Sequence, residues 1–97
     1  MPEFSEEHIS LSISIAIAVC DSWRRYSQDR NLRAKNRLMR QNSILSHVLP
    51  PVTLEENPID QIKIFIQSLN EFSPDWFERL KSNFTQNEIA RLTALYG

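Results

Sequence analysis

Ile9-Ser10-Leu11-Ser12-Ile13-Ser14-Ile15-Ala16-Ile17-Ala18-Val19 is the stretch on which the fold turns. Large apolar residues hold every odd position and serine or alanine every even one, the two-residue period of a half-buried strand. β-Branched residues and serine are mediocre helix formers, so propensity leans the same way. The residues just upstream favour a helix. Ser5 stands where an N-cap is wanted, Glu6 and Glu7 supply acids for the positive end of a helix dipole, and Phe4 and Ile9 have the spacing of a hydrophobic staple. Partners decide between the two. A strand needs another strand, and no second stretch of the chain offers one. The strand alternative over residues 9–19 would have to pair across a dimer, and helix is the expected state.

Further along, Val19, Trp23, Tyr26, Ala34, Leu38, Leu45 and Val48 fall in one broad stripe of a helix, interrupted by Arg30. A single helix over 6–48 would run roughly 64 Å at 1.5 Å per residue. That is very long for a chain of 97 residues, so a break near Asp29-Arg30-Asn31 is expected. Pro50 and Pro51 end whatever precedes them, and 49–57 reads as a proline-rich linker. Asn57-Pro58-Ile59-Asp60 then gives a cap, a proline at the first helical position and an acid in the first turn, starting a helix over 58–72. Ser73-Pro74-Asp75 repeats that signal for 74–83, and Thr85 with Glu88 has capping-box spacing for 86–96. The sole glycine is Gly97, which leaves tight hairpin turns without their usual residue. The expected fold is all-α, a single helical domain with a long N-terminal helix broken near residue 30 and three shorter helices after it.

A hydrophobic fraction of 41% with 24% charged residues excludes global disorder. Cys20 is the only cysteine, so no intrachain disulfide or CxxC motif can form, and a reducing, cytoplasmic setting is expected. The acidic start and the shortness of the apolar run from Ile9 to Cys20 point away from an export signal or a membrane span. His8 and His47 are distant in sequence, and no serine lies in a Gly-x-Ser-x-Gly turn. A phosphate loop would need glycines that do not exist. Glu55, Glu56 and Asp60 suit a solvated loop better than a cation site. No enzyme activity, metal, cofactor or small-molecule substrate is expected.

Two functions remain, from different classes. The first is a helical protein interaction or assembly module, self-associating through Ile9, Leu11, Ile13, Ile15, Ile17 and Val19, an apolar load that one short chain would struggle to cover. Its partner would be a second copy or another protein. The alternative is a small nucleic-acid-binding accessory protein. Arg24, Arg25, Arg30, Arg33, Lys35, Arg37 and Arg40 make seven of the eleven cations, against Asp21 and Asp29 nearby, while both flanks are acidic. Six of the seven are arginine, whose planar fork suits phosphate, and Trp23, Tyr26 and several Asn and Gln are interleaved with them, so DNA or RNA would be the ligand. The competing expectation is that these cations pair internally with Glu55, Glu56, Asp60, Glu71, Asp75 and Glu78.

Overall fold

The computed structural model describes Ser5–Val48 and Pro58–Tyr96. Ser5 caps α1 (Glu6–Asp29), its Oγ accepting the His8 N–H at 3.1 Å, and Glu6 and Glu7 fill the first turn. Residues 9–19 are helical throughout, and there is no strand among the described residues. The alternative of a strand over 9–19, paired across a dimer, is thereby corrected.

The reason is a coincidence of periods. At about 100° per residue, alternate positions of a helix fall on two strips about 200° apart. Ile9, Ile13 and Ile17 make one strip and Leu11, Ile15 and Val19 the other, so the strand-like alternation is also a helix with apolar residues on two opposite sides. A helix packed from two sides needs that pattern, and α1 is in contact with α2, α3 and α5. Ser22 Oγ donates to Gln41 Oε1 of α2 at 2.7 Å. From the C-terminal part of the chain, Asn83 Nδ2 donates to Ser10 Oγ at 3.0 Å and Arg91 lies 3.1 Å from the Asp21 carboxylate. The small even residues let neighbours come close: Ser12 and Ala16 are buried, and Ser12 Oγ donates back to the His8 carbonyl at 2.8 Å.

α1 stops at Arg30, whose left-handed backbone (φ 52°, ψ 36°) lets its N–H reach the Tyr26 carbonyl at 2.8 Å. Asn31 starts the next helix, its Oδ1 accepting from the N–H groups of Arg33 (2.9 Å) and Ala34 (3.1 Å). This reversal breaks the expected long helix into α1 and α2 (Leu32–Val48). α2 runs back along α1, burying Ala34, Leu38 and Leu45. The Ser22 to Gln41 bond sets the antiparallel register, which places Ile15 beside the last turn of α2 and Leu11 beyond it.

α3 (Pro58–Phe72) buries Pro58, Ile62, Ile66 and Leu69, one line at steps of three and four. α4 (Trp76–Leu80) runs on into a single 3-10 turn, Lys81–Asn83. α5 (Gln86–Tyr96) opens with a reciprocal capping box, in which the Thr85 N–H donates to Glu88 Oε1 (3.0 Å) and the Glu88 N–H to Thr85 Oγ1 (3.1 Å). Trp76 is fully buried and its Nε1–H donates to Asn70 Oδ1 at 2.6 Å. The hydrophobic core is continuous through all five helices, joining Val19, Leu45, Ile62, Trp76 and Leu92. The expected linker at 49–57 lies outside the described residues. Among the described residues, no helix is long and apolar enough to cross a membrane.

Candidate nucleic-acid interface

Because α1 and α2 reverse at Arg30 and Asn31, the arginine-rich segment is folded in two and its seven cations gather at one end of the hairpin. Arg24 and Arg25 lie in the last turns of α1, Arg30 at the apex, and Arg33, Lys35, Arg37 and Arg40 along the first half of α2. Arg25, Arg30, Arg33, Lys35 and Arg40 are exposed, while Arg24 and Arg37 are half-buried. On α2 the guanidinium-bearing positions 33, 37 and 40 fall within about 60° of arc, a single strip.

Ion pairing separates these cations from the rest. Arg79 lies 3.7 Å from Glu6 and 3.8 Å from Asp75, Lys81 lies 3.7 Å from Glu78, and Arg91 lies 3.1 Å from Asp21. Three of the four cations outside the segment are therefore paired. None of the seven inside it forms an ion pair among the described residues. Asp21, counted in sequence as a neighbour that would offset the segment, is turned toward α5 by Arg91. Asp29 alone remains among the tip cations. Arg30 and Lys35 instead converge on an aromatic ring: the Arg30 guanidinium carbon is 5.5 Å and the Lys35 Nζ 5.7 Å from the Tyr26 ring centroid.

The helix ends at the tip carry the wrong signs for their dipoles. The last turn of α1 has no base and ends in Asp29, while the first turn of α2 has no acid and includes Arg33 and Lys35. Each mismatch costs a few tenths of a kcal/mol at an exposed site. Backbone geometry adds to this, since Arg30 is the one non-glycine residue with positive φ among those described. Glycine or asparagine is the usual occupant of such a helix-ending position. Both helix ends and the backbone at Arg30 thus depart from local preference at the same end of the hairpin.

The apolar candidates are distributed otherwise. Ile9, Ile13, Ile17 and Val19 are buried in the chain's own core and Ile15 is half-buried against it, which leaves Leu11 as the exposed member of the six. Large apolar exposure lies elsewhere: Leu32 (71%), Met39 and Ile44 on α2, and Ile64 and Phe72 (80%) on α3. For Ile64 alone the signal was present in the sequence, because it falls out of step with the line Pro58, Ile62, Ile66 and Leu69.

Burial pushes the Cys20 thiol up to about 11, and the opposing charge of Arg24 offsets only part of that, so the group is held as a neutral thiol. The described residues contain no cluster of three or more His, Cys, Asp or Glu able to hold a metal ion. No family model, no curated protein and no solved structure matches the chain.

Proposed function

We propose that this protein is a non-enzymatic nucleic-acid-binding accessory protein that grips phosphates with the tip of the α1–α2 hairpin. One observation carries the reading: among the described residues, which do not include Glu55 and Glu56, none of the seven cations of residues 24–40 is in an ion pair, whereas Arg79, Lys81 and Arg91 are paired. Cations without a carboxylate partner among the described residues are available to an external polyanion. Folding the segment in two also concentrates its charge at one end, so the near-neutral total charge of −1 does not describe the field a ligand meets there. Fluorescence anisotropy with labelled duplex DNA and RNA tests this directly. Binding at about 50 mM salt that weakens steeply as salt rises is expected, with a slope of log K against log[salt] near 0.9 per phosphate contact. Absence of binding to both nucleic acids at that salt sinks the proposal.

A second reading, a self-associating or protein-docking module, is favoured by a different observation. Leu32 and Met39, seven residues apart, lie on one strip of α2, away from its arginine strip, and both are largely exposed. Sedimentation at micromolar concentration separates the two readings. A monomer with and without Leu32→Ser and Met39→Ser excludes self-association through this strip. For either reading, the buried neutral thiol of Cys20 suits a reducing, cytoplasmic compartment.

A further inference from the structure

We infer that the hairpin tip holds nucleic acid by its phosphates alone, and that Tyr26 is a positioning residue for Arg30 and Lys35 and not a platform for a stacked base. This rests on the nucleic-acid reading above and specifies how the ligand is recognised. In sequence, the aromatic and amide residues among the arginines look like base readers. The fold uses most of them internally. Two cations, Arg30 at the apex and Lys35 on α2, converge on the Tyr26 ring, at 5.5 and 5.7 Å from its centroid. A base would have to displace them to stack there. Trp23 is half-buried, packed against the core and tilted against Tyr26 with ring centroids 6.3 Å apart. Asn31 Oδ1 is spent on capping α2, and Gln41 Oε1 on the Ser22 hydroxyl.

What remains exposed is charge. A bidentate amide contact to a base edge needs an amide held in a fixed geometry. Gln28 and Asn36, exposed amides of the segment, make no side-chain hydrogen bond among the described residues, whereas Arg30 and Lys35 share one ring as a mount. Phosphate contacts fix register and orientation on a duplex without carrying sequence information. Arg30 itself sits where glycine would be conformationally easier. An arginine there places a guanidinium at the apex that glycine cannot supply.

The test uses the full chain in salt titrations against two duplexes of equal length and unrelated sequence, and against one single strand. The two duplexes should bind within about twofold of each other, and the single strand no more tightly than either, as expected of contacts to phosphate alone. Tyr26→Leu should weaken binding about tenfold and lower the salt slope by about one to two, because two phosphate contacts lose their mount. Tyr26→Phe keeps the ring and should keep both affinity and slope. Since Tyr26→Leu also touches packing, Arg30→Gly is read beside it, and should lower the slope by about one without loss of helical signal. A preference above about tenfold between the duplexes overturns the inference, as does tighter binding to the single strand, since both signal base readout. So does an unchanged slope in Tyr26→Leu or in Arg30→Gly, or lost binding in Tyr26→Phe. If the wild type binds none of the three, the nucleic-acid reading itself fails, a result distinct from each of these.

Discussion

The hairpin tip and the C-terminal helices are built from similar residues to opposite standards. In 58–96 most cations and the α5 cap find partners: Thr85 and Glu88 cap α5 reciprocally, Trp76 donates to Asn70, and Arg79, Lys81 and Arg91 each have a carboxylate. At 24–40 the local rules are broken: an arginine holds a positive φ, dipole and side-chain charges disagree at both helix ends, and no cation is ion-paired among the described residues. The C-terminal helices are organised for stability. The proposal of a phosphate-binding tip rests on that contrast.

Substitutions can break or sharpen the contrast. The largest effect should come from Trp76→Ala, which empties a fully buried site and removes the Asn70 bond, costing about 3–5 kcal/mol in urea denaturation. Loss below about 1 kcal/mol would mean that the core is not organised around this ring. Thr85→Ala deletes one half of the capping box and should cost about 1 kcal/mol. Arg30→Gly should move the other way. Relief of the left-handed backbone, about 1–2 kcal/mol, exceeds the exposed cation-π contact it gives up, about 0.5–1 kcal/mol. A variant more stable yet weaker in binding would be the sharpest expression of the contrast.

The smallest effect concerns pH. The Thr85 N–H bond holds the Glu88 carboxyl below its ordinary range, with the Ser14 and Thr85 hydroxyl bonds assisting and burial opposing. Because the folded value lies below the unfolded one, the contribution is complete above the ordinary glutamate value of about 4.3 and is lost as pH falls through the folded value. Carboxyl titration by NMR should place Glu88 below the ordinary glutamate value of about 4.3. Thr85→Ala keeps the backbone N–H that is the main cause, so Glu88 should stay below its ordinary value in that variant.

Helices whose signals are local were legible from residues alone. Ser5-Glu6-Glu7, Asn57-Pro58 and Thr85 with Glu88 announce starts by capping chemistry that acts over three or four positions. The state of residues 9–19 was harder, because an alternating pattern is shared by a strand and by a helix packed on two opposite sides. Only the neighbours distinguish them, and α2, α3 and α5 reach α1 from distant parts of the sequence. The arginine segment was legible as charge but not as geometry. Nothing local says that Asp21 turns to Arg91, or that Lys35 shares a ring with Arg30 across the reversal. Nor could the sequence divide its apolar residues, since whether Ile13 or Leu32 is covered depends on which helix lies beside it.

The most direct test of a phosphate-binding tip is a salt titration of duplex binding by the wild type and by an Arg33→Ala, Arg37→Ala, Arg40→Ala variant, with thermal melts in parallel. The triple variant should melt close to the wild type, because Arg33 and Arg40 are exposed, Arg37 is half-buried and none is ion-paired among the described residues. Its slope of log K against log[salt] should fall by about 2.7, three contacts at about 0.9 each. A slope equal to that of the wild type would contradict the assignment of phosphate binding to this end of the molecule.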